Sequence, residues 1–245
     1  MSTEGVVDIY ASSFVFNFAH SGAGMVLDGG ASFLRRVEVS HNISTAFGGG
    51  VIAGSESTLV VLQSALHDNV ATGGSALYSI GADVQITMNN TTVSGNHSSG
   101  PGAIYLFGAA LDLNNVTITA NESAGQALIA TDTTTASNTI IGDNISTNGT
   151  IPDCAGALTS YGNNLTTDAS SCMCEPAIGD VCGVSPVLEP LANNGGETET
   201  HALGAASPAL AAGNAITCLG VDQRGEPRLP GQACDIGAFE DPSFP

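Results

Sequence analysis

Residues 84–121 read VQITMNNTTVSGNHSSGPGAIYLFGAALDLNNVTITAN, and their pattern decides the fold. Val84, Ile86 and Met88 alternate with Gln85 and Thr87, and Leu111 and Leu113 flank Asp112. Strict alternation marks strands with one buried face. Val93 stands three residues before Asn96, and Ile118 three before Asn121. Between these marks lies an apolar pair, Ile104-Tyr105, that follows Pro101-Gly102-Ala103.

The same two marks recur on both sides of this stretch. An apolar residue precedes an Asn by three positions at Phe14/Asn17, Val39/Asn42, Leu66/Asn69, Val93/Asn96, Ile118/Asn121 and Ile141/Asn144, with Asn-to-Asn spacings of 25, 27, 27, 25 and 23. The apolar pairs Met25-Val26, Val51-Ile52, Leu77-Tyr78, Ile104-Tyr105 and Leu128-Ile129 keep spacings of 26, 26, 27 and 24. Two marks sharing one period mean a repeat, and a repeat of a few short strands cannot bury its apolar face alone. Repeats must stack, at about 4.8 Å per coil. The expected fold is all-β: a single right-handed parallel β-helix, or solenoid. Coils of about 23–27 residues fill residues 1–150, and residues 151–245 form C-terminal coils and a disulfide-containing C-terminal cap. Asn17, Asn42, Asn69, Asn96, Asn121 and Asn144 are expected on one line, tolerating unusual φ/ψ at a turn and bonding through their amides as a ladder.

Composition suits this. Trp is absent, aromatics are 5% and there are 31 Gly, so the core must be built from small and β-branched side chains. Four Lys+Arg, all of them Arg, stand against 23 acidic residues, for a net charge of −19. Such a surface repels phosphate, which excludes nucleic acid and disfavours an anionic membrane. No stretch is long and apolar enough to span a bilayer. A monomer is expected, and polysaccharide or another surface protein is the expected partner. No cofactor is implied; calcium is the one cation the acidic balance leaves open.

All six Cys, at 154, 172, 174, 182, 218 and 234, fall in the C-terminal segment. An even, clustered count points to disulfides and an oxidising compartment, extracellular or cell-surface. Cys218–Cys234 would close the last loop, and Cys154–Cys172 with Cys174–Cys182 is one completion among fifteen connectivities. Cys172-Met173-Cys174 has no His at ligand spacing, which argues against zinc. Met1-Ser2-Thr3-Glu4 lacks a basic start and an apolar run, so an export signal is expected outside this chain. Several Asn, including Asn42, Asn90, Asn96, Asn115, Asn121, Asn144, Asn148 and Asn164, match the glycosylation pattern, mostly as a by-product of turn chemistry. Asn115 and Asn148 are the better acceptors.

From about residue 155 to 240 a long ordered motif appears. It comprises Tyr161-Gly162-Asn163-Asn164-Leu165, Asn193-Asn194-Gly195-Gly196, Thr198, Thr200-His201-Ala202-Leu203, Ser207-Pro208-Ala209-Leu210, Asp222-Gln223-Arg224-Gly225, Pro227-Arg228 and Cys234-Asp235-Ile236-Gly237-Ala238-Phe239-Glu240. It resembles the signature of bacterial choice-of-anchor Q domain proteins. That resemblance implies a secreted or envelope protein with a pectin-lyase-like parallel β-helix and no agreed biochemical activity. Ala211 and Leu229 depart from the pattern, where an Asp and a Pro are usual. Read from the residues themselves, Asp222, Arg224, Arg228, Asp235 and Glu240 are structural charges expected to pin the final loop onto the last coil, because Arg pairs with carboxylates bidentately.

Parallel β-helices often act on acidic polysaccharides, so a lyase or a glycoside hydrolase is the alternative function. The sequence leans away from an enzyme. Outside the cap only Arg35 and Arg36 could serve as a base, and they read as solvated charges at a bend. Asp68, Asp83, Asp112, Glu122 and Asp143 occupy different phases of the repeat and do not pair as acid and base. His20, His41, His67, His97 and His201 are scattered in phase, which argues against a metal cluster. No catalytic and no metal residues are therefore assigned. One feature points to binding. If Met25, Val51, Leu77, Ile104 and Leu128 face inward, their neighbours Val26, Ile52, Tyr78, Tyr105 and Ile129 face out as an apolar stripe. Tyrosine offers a flat apolar face with a polar tip, suited to sugar rings or protein partners. The expected function is a non-catalytic binding or display module, carbohydrate-binding or adhesin-like; a purely structural stalk is the third reading.

Overall fold

A computed structural model describes residues 5–129, 133–148, 153–170, 174–175 and 178–243. It is a parallel β-solenoid without an α-helix among these residues, and no helix is long and apolar enough to cross a membrane. Each coil has four short sides. The first runs through Gly30–Arg35, Ser57–Leu62 and the opening halves of Val84–Ser94 and Ala109–Thr119; the second through Glu38–Ser40, Ala65–His67, the closing halves of those two long strands and Ile140–Gly142. The third runs from Phe18–Ala19 to Ile145–Ser146, and the fourth from Met25–Leu27 to Cys154–Ala155. The ladders between coils are parallel, and the coils continue past Asn148 to Val181–Cys182. Alternation fills the interior with Leu34, Leu59, Leu66, Leu77, Met88, Ile104, Leu111, Leu113, Ile118 and Leu128, all buried.

Corners between sides are made by single residues in left-handed conformation. Arg36, Gln63, Asn90, Asn115, Asn138 and Asn163 form one column between the first and second sides. Phe16, His41, Asp68, Gly95, Ala120 and Asp143 form another between the second and third. A non-glycine residue there costs about 1–2 kcal/mol, and coil-to-coil hydrogen bonds hold it: Arg36 N–H donates to Leu62 C=O and Gln63 N–H to Asn89 C=O.

The six asparagines follow directly after the second column, on a single line. Asn17, Asn42, Asn69, Asn96 and Asn121 each donate Nδ2–H to the Oδ1 of the next, at 2.8–3.0 Å. That same Oδ1 also accepts the backbone N–H of the preceding ladder residue, at 3.0–3.1 Å. The left-handed turn expected of the asparagine itself belongs instead to the residue before it. This frees the Asn to point inward and serve as a junction between coils. Asn144 ends the line by donating to the buried Asp153 Oδ1 at 3.2 Å.

The C-terminal segment carries the disulfides Cys174–Cys182 and Cys218–Cys234. Cys154 is also disulfide-bonded, while the expected partner Cys172 lies outside the described residues. The final loop, expected over the last coil, instead runs back along the side of the solenoid. The left-handed column is its docking strip. Gln63 Nε2 donates to Asp222 C=O, Asn90 Nδ2 to Val221 C=O, and Asn163 Nδ2 to Ala212 C=O. Asn115 Nδ2 faces the carbonyls of Asp235 and Gly237. A left-handed corner pushes its side chain outward with free amide groups, so a column of them suits a chain that brings backbone carbonyls. Asn115 is fully buried beneath this segment, so it is not a glycan acceptor in the folded protein; Asn148 is exposed.

The charged cluster locks the segment down. Arg224 grips Asp222 Oδ2 with Nε and Nη2, both at 2.8 Å, and lies 3.7 Å above the Phe239 ring. The buried Arg228 satisfies its donors on Glu240 Oε2, Asn90 Oδ1, Val221 C=O and Gly237 C=O. It therefore reaches a middle coil, not the last. Asp235, fully buried, accepts the N–H groups of Ala211 and Asp241 at 2.7 and 2.6 Å. Burial pushes its carboxyl up to about 6, against those two N–H donors.

Two outcomes follow. Asn96→Ala strips the acceptor from Asn69's N–H and Nδ2 and the donor from Leu66 C=O, and buried unpaired groups cost about 1–3 kcal/mol each. Urea unfolding is expected to show a loss of about 3 kcal/mol or more, against about 0.5 or less for exposed Gln85→Ala. Asp235 is protonated more readily in the folded chain than in the unfolded one, where its pKa is about 3.9. Its contribution therefore favours folding at low pH and is lost as pH rises through about 6. The Asp235 contribution should fall between about pH 4 and pH 7 by on the order of 2–3 kcal/mol, read as a stability difference between wild type and Asp235→Asn that shrinks by that amount across the window.

Candidate functional site

The fourth side carries the stripe. Register aligns Met25, Val51, Leu77, Ile104 and Leu128 facing inward, and Val26, Ile52, Tyr78, Tyr105 and Ile129 beside them. The inner column is buried throughout. The outer column is not uniformly exposed. Val26 is open, Tyr78, Tyr105 and Ile129 are half-buried, and Ile52 is buried. The reason lies in the preceding turn. Gly48 and Gly74 have positive φ, and a Cβ on Gly48 would collide with Ile52, one on Gly74 with Tyr78. Without those Cβ atoms the outer side chains fold down over the turn.

The rings also differ from the flat sugar platform expected of them. Phe47 stacks on Tyr78 with centroids 4.9 Å apart and planes 21° from parallel, and Tyr105 follows at 5.7 Å. Tyr78 thus has an aromatic neighbour from the coil before and one from the coil after, so its faces are engaged within the protein. Burial and the neighbouring Tyr105 raise its hydroxyl above the ordinary tyrosine value, so it stays a neutral donor. Two positions beyond the tyrosines, alternation places Ile80 and Phe107 outward, and both are exposed. Sequence reading missed this pair because it lies just past the strand ends. The presented surface is therefore tyrosine edges and hydroxyls beside an exposed aromatic and an exposed aliphatic side chain.

Other candidates have local partners. Arg35 pairs with Asp8 at 3.4 Å, and Arg36 with Glu197 at 3.7 Å and with the Tyr10 hydroxyl at 3.1 Å. Asp112 accepts from Thr135, Asp143 from Thr167 and Ser185, and Glu122 faces His97. These sit on different sides and corners of the coils. The other residues assigned to structure, Asn17 to Asn144, Cys218, Cys234, Asp222, Arg224, Arg228 and Asp235, take part in the ladder and the clamp described above.

The scattered histidines are a correction. His41, His67 and Asp68 come together, with ligand atoms all within 4.8 Å of one another. His67 ends a second-side strand and Asp68 is the left-handed corner after it; His41 is the same corner one coil earlier. Counting positions from the ladder Asn hid this. Adjacent residues on either side of a left-handed corner can converge, and a phase count treats them as diverging. The C-terminal segment adds Glu199, and the neighbouring coil adds Glu38. His201 lies close by with both nitrogens engaged, one by Glu189 C=O and one by the Ser94 hydroxyl, each at 2.7 Å. Burial lowers the pKa of His201, so it is neutral, donating from Nδ1 and accepting at Nε2.

Compared with family models, with curated proteins and with solved structures, the chain matches none, so the functional reading rests on its own residues.

Proposed function

We propose that the protein is an extracellular or cell-surface binding and display module without catalytic activity, and that its ligand face is the fourth side of the solenoid. One observation carries this reading: parallel register brings Tyr78 and Tyr105 together on adjacent coils, with Ile80 and Phe107 exposed beside them. Adjoining apolar side chains left open on a surface mark an interaction site. Aromatic edges with hydroxyl tips suit a polymer that offers both C–H faces and hydroxyl groups. Coils spaced at about 4.8 Å repeat that offer along one axis, which fits an extended chain better than a compact ligand. The net charge of −19 repels polyuronates and favours a neutral polysaccharide. Disulfides in the C-terminal segment support an oxidising location. The resemblance to choice-of-anchor Q proteins points to the same place.

Affinity electrophoresis against a panel of neutral plant and microbial polysaccharides tests this. Phe107→Ala combined with Ile80→Ser should abolish retardation while shifting stability by no more than about 0.5 kcal/mol, since both side chains are exposed. Tyr78→Ala with Tyr105→Ala should do the same at some cost in Tm, because Tyr78 stacks on Phe47 and packs, tilted, against Tyr105. Retardation unchanged in the Phe107/Ile80 variant would rule out this face, and release of unsaturated uronides from a polyuronate would rule out the non-catalytic reading.

A further inference from the structure

The ring of His67 is almost wholly buried, its side chain 3% exposed, and carboxylates face both of its nitrogens. Nδ1 lies 2.8 Å from Asp68 Oδ2, and Nε2 faces Glu38 Oε1 at 3.6 Å and Glu199 Oε2 at 3.9 Å. A neutral imidazole carries one hydrogen. Placed on Nδ1, it bonds Asp68 and leaves the buried Nε2 without a hydrogen-bond partner. Placed on Nε2, it meets Glu38 and Glu199 and leaves the Nδ1 lone pair against Asp68. A cation between Nδ1 and Asp68 settles both sides of the ring. A second proton would settle them as well, yet it would not call for the second imidazole that stands on the same carboxylate. His41 Nε2 lies 3.9 Å from that Asp68 Oδ2. The ligand atoms of His41, His67 and Asp68 are all within 4.8 Å of one another.

We propose that His41 Nε2, His67 Nδ1 and the Asp68 carboxylate bind one divalent cation of the zinc class, with solvent completing its coordination. Two imidazoles and a carboxylate are donors that suit such an ion. Donors held about 2.0–2.2 Å from one ion stand roughly 3–4 Å apart, close to the 2.8 and 3.9 Å found here. His41 and Asp68 are exposed, at 44% and 46%, so the ion enters from solvent and both side chains can settle around it, while the buried His67 is the fixed donor. Once Nδ1 takes the ion, the ring hydrogen sits on Nε2, where Glu38 and Glu199 face it. A carboxylate on the far nitrogen is what orients a metal-binding histidine. The Ser40 hydroxyl donates to Glu38 Oε1 at 3.0 Å and steadies it. His201 is not a ligand, since both its nitrogens are engaged. His41 and Asp68 are corner residues of successive coils, so the ion ties one coil to the next.

Chelator-stripped protein titrated in a calorimeter with zinc and, separately, with calcium tests the site. One saturable zinc site is expected, accompanied by a rise in Tm, and calcium, which takes oxygen donors, should neither fill it nor compete for it. Asparagine tolerates the left-handed corner, so His41→Asn should fold with the wild-type Tm in chelator and lose saturable zinc binding. Glu38→Gln with Glu199→Gln should keep one site, weakened by about 10- to 100-fold at most. Imidazole 15N spectra should show zinc-induced shifts at His67 Nδ1 and His41 Nε2, with the hydrogen of His67 on Nε2. The proposal is overturned if zinc does not bind saturably, if binding survives His41→Asn, if calcium competes for the site, or if both His67 nitrogens stay protonated and unmoved by zinc.

Discussion

The amide ladder running from Asn17 to Asn144 is the interaction on which the rest of the molecule depends. A closed coil must turn its chain inward at a corner, and that places backbone N–H and C=O groups where water cannot reach them. A carboxamide is neutral and both donates and accepts from one small planar group. From Asn42 onward each Oδ1 takes two donors from the coil before, and each Nδ2 gives back to a carbonyl of that same preceding coil, as Asn96 does to Leu66 and Asn121 to Val93. The corner is thereby satisfied by neutral groups of the protein itself. Asp153 closes the line because a terminal acceptor need not donate; burial raises its pKa while Asn144, Thr166 and the Asp168 N–H favour its anion.

A second column of polar side chains faces the other way. Gln63, Asn90, Asn115 and Asn163 stand at left-handed corners and point their amides out, where the C-terminal segment supplies carbonyls. The two columns use the same chemistry for different ends: one holds coil to coil, the other holds the coils to a strap. The outward face of the second side is consequently buried as well. Thr92 bonds Gln223 and Ser94 bonds His201 there, and Thr117 accepts the N–H of Ala238. The first, third and fourth sides keep exposed outward positions; the third carries Phe18 and Ile43 in register, and the fourth carries the tyrosines with Ile80 and Phe107.

Much of this was legible in the residues. Period, strand phase and the inward line of asparagines follow from Val93/Asn96 and Ile118/Asn121, because alternation and repeat length are local properties. The path of the C-terminal segment was not legible. Arg228 and Asn90 are 138 positions apart, and nothing in either residue announces the other. The coils beyond Asn148 were blurred because Asp153 and Asp180 take the acceptor positions that an asparagine holds elsewhere. His67 and Glu199 meet across that same long separation, so position within a repeat could not reveal them. Ile52 was misjudged for a smaller reason: the missing Cβ of Gly48 changes where a neighbouring side chain lies, and strand parity takes no account of turns.

Simple solenoids behave almost as one-dimensional chains, in which each unit answers only to its neighbours and order can spread from any point. The strap breaks that rule here. Residues near the C-terminus touch corners from Arg36 to Asn163, so early and late coils share one partner. Unfolding any part exposes the polar side of the rest, which welds the array into a single cooperative transition. It also sets an order of assembly. The coils can begin to wind as the chain emerges, but the surface that seals them arrives last, and long loop closure is slow. The final sixty or so residues thus act as a completion check: a chain cut short leaves a wound but unsealed solenoid, with buried amides opened to water.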